Sequence, residues 1–202
     1  MMTVLKTIAI AVLCTVVAWF FCLAIRRTSD LFKKMLPNRY IKVAVGGVVI
    51  ILLTKLIGST DYNGAGVSVL ERIFETDEVV SWAFLLMILM AVIAIAAGFR
   101  GGEIVPTLFI GATFGAFMAE VIGLPVAFGA AVGMTALFCS VTNCPLASLL
   151  LAAEMFKWDG FVFILIAVVI SFVLSGRISI YSAQKEPDIK SILYFFKKNK
   201  TE

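Results

Sequence analysis

Gly101-Gly102-Glu103-Ile104-Val105-Pro106 stands between two strongly apolar runs, 79–99 and the segment that begins at Ile104. It sets a carboxylate, a glycine pair and a proline at a depth where a membrane chain should be uniformly apolar. An ionisable side chain there costs at least about 2.5 kcal/mol on insertion scales, so it marks a functional position by default. A helix starting at that depth also turns unpaired N–H groups and a positive dipole end toward whatever lies before it. Half-helices that begin inside the bilayer are a recurrent way to hold an anion.

Composition places the stretch in a membrane. Of 202 residues, 61% are hydrophobic and 15% charged, and the mean hydropathy is +1.05. A soluble domain carries roughly a quarter charged residues. The chain is therefore read as an all-α polytopic membrane protein and not as an enzyme, with lipid as its surroundings. The apolar run 7–23 is too long for a signal peptide and ends in Arg26-Arg27, so it is read as a spanning helix. Histidine is absent, so proton chemistry falls to carboxylates, tyrosine or water. Cys14, Cys22, Cys139 and Cys144 show no metal-ligand spacing and read as small buried hydrophobes. No catalytic group, metal or cofactor is expected. The net charge of +4 fits basic cytoplasmic loops and not nucleic-acid binding.

Segments 3–25 and 41–57 are long enough to span a bilayer. Between them Arg26, Arg27, Lys33, Lys34, Arg39 and Lys42 face the single acid Asp30, whereas the connection 58–78 holds five acids against Arg72. Positive-inside logic puts the first connection in the cytoplasm and the second outside. The lysine-bearing tail is likewise read as cytoplasmic. Residues 79–99 read as a further full-length span, followed by helices near 104–120, 125–141, 145–156, 159–175 and 180–197. Several of these are too short to cross about 30 Å of hydrocarbon. Gly111/Gly115 and Gly129/Gly133 form small-xxx-small faces suited to close helix packing.

The stretch from Gly101 to Ala112 resembles the G-G-x-F-x-P…G motif of the CLC chloride channels and proton-coupled anion transporters. Further landmarks follow in the order of that family. Asn143-Cys144-Pro145-Leu146-Ala147 is similar to R-A-P-L-[TS], Ala153-Glu154-Met155 to L-E-M, and Gly176-Arg177-Ile178-Ser179-Ile180-Tyr181-Ser182-Ala183 to G-K-P-L-Y-S-A. The run 58–66 is similar to the family's Ser/Gly-rich break. The resemblance covers nearly the whole chain and implies a CLC-type fold, but only its C-terminal inverted repeat. Residues 1–202 are expected to be that half, with 185–202 as the cytoplasmic end of the last helix and tail. The G-[KR]-E-G-P motif with the gating glutamate belongs to the other half.

The resemblance assigns roles residue by residue. Tyr181 would point its hydroxyl at a central anion, and Ile104 and Val105 would offer backbone N–H groups. Gly101, Gly102 and Pro106 form the helix-start motif. Ile104 departs from the family's usual phenylalanine, and Glu103 from its usual non-acidic residue. A glutamate at that position resembles the bacterial fluoride/proton antiporter branch, which implies a proton or fluoride pathway role. The competing reading of Glu103 is an ion pair with Arg100, with Thr107 and Thr113 as hydrogen-bond candidates. Glu154 is read as structural. The helices near 145–156 and 159–175 resemble the family's dimer contact, so a homodimer is expected. Three functions remain open: fluoride/proton exchange, a chloride channel or chloride/proton exchanger, and a half with no transport of its own.

Overall fold

The computed structural model describes residues 2–64, 66–99 and 103–176. It contains α1 (Met2–Met35), α2 (Arg39–Ile57), α3 (Val67–Thr76), α4 (Ala83–Ala97), α5 (Ile104–Ile122), α6 (Val126–Thr142), α7 (Pro145–Phe156) and α8 (Phe161–Ser175), and no strand among the described residues. Helices α1, α2 and α5 are long and apolar enough to cross a membrane. The expected helix at 180–197 lies outside the described residues.

Three expectations are corrected. The cationic stretch after Arg26 is not an irregular loop, because α1 runs on to Met35. Lysine and arginine are good helix formers, and Lys33 and Lys34 sit in the last turn, where the dipole favours cations. The helix ends where Leu36 precedes Pro37, since the residue before proline is pushed out of the α region. Residues 79–99 do not form a full-length span: α4 keeps 15 residues, about 22 Å, with Gly98 at φ +92° closing it. The connection 58–78 holds a helix of its own, α3, because Val69 and Ile73 fall four apart and bury against the body.

Helix α1 packs against α4, α5, α6 and α8, and thereby sits at the centre of the fold. Its buried Thr15 hydroxyl back-bonds to Ala11 at 2.9 Å and accepts from Ser140 of α6 at 3.2 Å. The tightest pair is α5 with α6. A methyl added at Gly115 would stand 2.8 Å from Gly133 Cα, and one at Gly111 would stand 2.6 Å from the Gly133 oxygen. Gly115 meets Gly129 as Gly111 meets Gly133, so the two helices run antiparallel with backbones in contact. Without a hydrophobic drive in lipid, that close packing holds the pair. The expected small-residue faces are therefore one interface, and it fixes where α5 begins.

Helix α3 packs on α5 and α6. Phe74 packs on Phe156 of α7 at 6.0 Å between ring centroids, and Tyr62 meets Phe109 of α5 edge-on at 6.4 Å. Arg72 ties α3 to the preceding break through Asp61 at 2.6 Å. Helix α2 lies at the edge, with only Gly46 buried, against Ala97 of α4.

Candidate functional site

Glu103 occupies the N-cap position of α5, as the break in the apolar pattern requires. Its carbonyl accepts from the Thr107 hydroxyl at 2.7 Å and from the Thr107 amide at 3.4 Å. Thr107 therefore holds the backbone of the helix start and not the Glu103 carboxylate. Thr113 is no partner either: its hydroxyl donates to Phe109 at 2.8 Å and Ile110 at 3.3 Å, one turn back along α5. The Glu103 side chain makes no cap bond to its own helix. Arg100, Gly101, Gly102 and Tyr181 lie outside the described residues, so the Arg100 pairing and the tyrosine position do too.

Ile104 and Val105 are 43% and 41% exposed. As the first residues of a 19-residue helix their N–H groups have no intrahelical acceptor. Pro106, in the same turn, has no N–H to leave unpaired. The start of α5 therefore leaves the two backbone donors of Ile104 and Val105 without an acceptor inside the helix.

Two cavities flank this helix start and divide its residues. Glu103 lines a cavity of about 710 Å³ together with Lys33 from the end of α1, Arg39 and Lys42 from the start of α2, and Phe99 beyond α4. Val105 and Pro106 line a second cavity of about 440 Å³ with Tyr62, Met87, Met90 and Ala91, where the walls are almost wholly apolar. Glu103 and Val105, two residues apart, thus face different surroundings: one cationic, one greasy. Local sequence groups the two in a single pathway and gives Lys33, Arg39 and Lys42 only a part in orienting the chain. The signal that brings those cations near Glu103 is tertiary, because 61 positions separate Lys42 from Glu103.

The remaining described landmarks lie at helix ends and on α7. Asn143, at φ 57°, ends α6, and its carboxamide donates to the Gly176 carbonyl at 3.1 Å. Pro145 begins α7. Glu154 lies exposed on α7, apart from both cavities. Cys14, Cys22 and Cys139 are buried, as small hydrophobes are, and Cys144 is half-buried. Among the described residues no cluster of Cys, Asp or Glu has metal-ligand geometry.

Known proteins resemble this chain in sequence and in fold. The family model described as voltage gated chloride channel matches residues 1–176. A protein of Pseudomonas syringae pv. tomato described as a chloride/fluoride channel protein is 27% identical over 189 residues, which cover 91% of this chain and 42% of that protein. An uncharacterised protein of Methanocaldococcus jannaschii is 25% identical over 176 residues, covering 85% of this chain and 44% of its own length. The crystal structure of a CLC-type fluoride/proton antiporter superposes with a TM-score of 0.86 at 28% identity, over 91% of this chain and 46% of that one. The chain spans less than half the length of these relatives.

Proposed function

Since this chain belongs to the voltage-gated chloride channel family, we propose that it takes part in transmembrane anion transport, and within that in fluoride/proton exchange. The observation that carries the finer reading is Glu103, a carboxyl at the N-cap of a helix start, beside two N–H groups with no intrahelical acceptor. Ionised, it repels an anion; protonated, it donates a hydrogen bond to one. Fluoride is a compact, strong acceptor, so a carboxyl that alternates between these states couples its passage to a proton. The likeness to a fluoride/proton antiporter supports the same reading.

In this reading Ile104 and Val105 donate to the anion, Tyr181 adds a neutral hydroxyl, and Gly101, Gly102 and Pro106 shape the turn. Anion ligands from a second, facing half complete the site, because the chain covers only 42% and 46% of the relatives that carry the name. A membrane location with the C-terminal tail in the cytoplasm, and a homodimer, belong to the same proposal.

A second reading, passive conduction of chloride or fluoride, is favoured by the description of the Pseudomonas syringae relative as a channel. Proteoliposomes made with the chain isolated together with its native companions separate the two. Exchange predicts fluoride efflux with proton uptake, lost in Glu103→Gln. Fluoride efflux that ignores the proton gradient and survives Glu103→Gln rejects exchange and leaves the channel. Flux from the chain with no companion would reject the need for a facing half.

A further inference from the structure

A third cavity, of about 390 Å³, opens where the turn between α7 and α8 meets α3 and the start of α6. Phe74 of α3, Phe128 of α6 and Met155 and Phe156 of α7 give it apolar walls, while Lys157 and Asp159 bring one charge of each sign. Among the described residues the ion pairs are Lys33–Asp30 and Arg72–Asp61, so Lys157 and Asp159 are paired neither with each other nor with a described neighbour. The helix ends repeat this mixed polarity. Helices α6 and α8 begin at the cavity, through Ala127, Phe128 and Gly160, and bring positive dipole ends that no side chain caps. Helix α7 finishes there, through Met155 and Phe156, and brings its negative end.

The turn is held in a conformation that its own residues disfavour. Lys157 and Trp158 lie at φ 47° and 68°, which a Cβ opposes and glycine would take freely. Trp158 is 65% exposed, with its ring 4.7 Å from that of Phe161. Exposed indoles of this kind mark the headgroup level of a bilayer. The neighbouring helix α3 and its end carry Glu71, Glu75, Asp77 and Glu78, all exposed, while Arg72 is already bonded to Asp61. Such surroundings repel a headgroup of net negative charge and attract an ammonium.

We propose that this cavity binds a zwitterionic phospholipid whose headgroup ends in a primary ammonium. The phosphate lies against Lys157 and the starts of α6 and α8, the ammonium against Asp159 and the end of α7. The acyl chains run along Phe74, Phe128 and Phe156. A primary ammonium offers N–H donors to the carboxylate and to the last carbonyls of α7, and a choline headgroup offers none. A glycerol headgroup leaves the phosphate charge uncompensated beside the acids of α3. The inference needs the chain in a bilayer but rests on no transport activity.

Photoactivatable lipids test it, with a diazirine near the glycerol end of one acyl chain of phosphatidylethanolamine, phosphatidylcholine or phosphatidylglycerol. Each is added as a trace to phosphatidylcholine bilayers holding the chain together with its native companions, and peptide mass spectrometry after peptic digestion reads the adducts. Labelling of segments 127–131 and 155–160 should be about threefold or more higher with the ethanolamine lipid than with either other lipid. Lys157→Gln/Asp159→Asn should bring it down to the choline level, while Lys157→Arg should preserve it. Glutamine keeps the Cβ of lysine, so the strain of the turn is unchanged in that variant. Labelling around the exposed Val48 and Leu52 of α2 should not discriminate among the lipids or the variants. Equal labelling of the cavity by all three lipids overturns the site, as does a preference that survives the double variant. Stronger labelling by phosphatidylglycerol overturns it in favour of an anionic lipid. Absence of labelling by any of them overturns it too, because protein then covers the cavity. Matching thermal melts across the variants remove misfolding as the cause.

Discussion

The Asn143 carboxamide reaches the Gly176 carbonyl at 3.1 Å and accepts from the Ser175 hydroxyl at 3.4 Å, so the corner between α6 and α7 holds the end of α8 across 33 residues of chain. Asparagine suits the position twice over. It tolerates the left-handed backbone at φ 57°, and it both donates and accepts. The residue it holds is the one from which the chain leads toward Tyr181.

Replacing Asn143 separates those two roles. Asn143→Ala loses both hydrogen bonds and strains the left-handed backbone, at a combined cost of about 2 kcal/mol. Asn143→Gly removes the strain but not the loss of the clamp, so it should fall between wild type and alanine. Thermal melts in detergent rank the three. If Asn143→Gly matches wild type, the clamp contributes nothing and only the backbone matters.

Glycine at the α5–α6 contact is a steric requirement, and α2 supplies its control. Gly133→Ala would set a methyl 2.6 Å from Gly115 Cα, against backbone that cannot yield without parting the helices. Overpacking of this kind costs about 1–3 kcal/mol or more. Gly46→Ala should fail in the same way, since its methyl meets that of Ala97. Gly47→Ala, one residue on, meets only Phe99 at 3.7 Å and should be neutral or stabilising by up to about 1 kcal/mol. Expression level and melting temperature of the three variants check the contrast. A tolerated Gly133→Ala would mean that α5 and α6 are not held at backbone contact.

The α3 connection should respond to acid. Arg72, bonded to the Asp61 carboxylate at 2.6 Å, lowers its pKa below the ordinary carboxylate range, with help from Ser59 and Ser68. A group whose folded pKa is depressed stabilises the fold fully above its unfolded value, about 3.9, and loses that contribution as pH falls through the folded value. Asp61→Asn should therefore melt lower than wild type at neutral pH, and the gap should close as pH falls through the lowered folded value of Asp61. A gap independent of pH would assign the effect to hydrogen bonding and not to charge.

The parts of this molecule that composition and local pattern dictate are legible in its sequence. The apolar runs, the helix start at Ile104 and the proline at α7 all follow from residues within a few positions of one another. The end of α1 is harder to place, because a run of charge suggests a loop although residues 26–34 are compatible with helix until Pro37 intervenes. Helix α3 hides behind its acids, which speak to topology, while only the spacing of Val69 and Ile73 betrays a buried face. At the site, Glu103 and Val105 stand out locally. Their division between a cationic and an apolar cavity does not, since Lys42 and Tyr62 reach the helix start only through the packing of α2 and the 58–66 break on α4 and α5.

The outer faces of α7 and α8 carry the last prediction. Leu146 and Leu150 lie one turn apart on α7, and Val162, Val169 and Val173 share one face of α8; all are more than half exposed. Apolar residues facing lipid are ordinary, so exposure alone does not distinguish this face from that of α2. What does is the resemblance of α7 and α8 to the family's dimer contact, which makes the expected interface isologous about a two-fold axis. Every contact across such an interface occurs twice, so a bulky side chain there is felt twice. Leu150→Trp combined with Val169→Trp should convert a crosslinkable dimer in detergent to monomer. Val48→Trp combined with Leu52→Trp on α2 adds the same bulk to a lipid-type face and should leave the dimer intact. Glutaraldehyde crosslinking and subunit counting by single-molecule photobleaching read both. If the α2 pair breaks the dimer and the α7–α8 pair does not, the two-fold contact runs through α2.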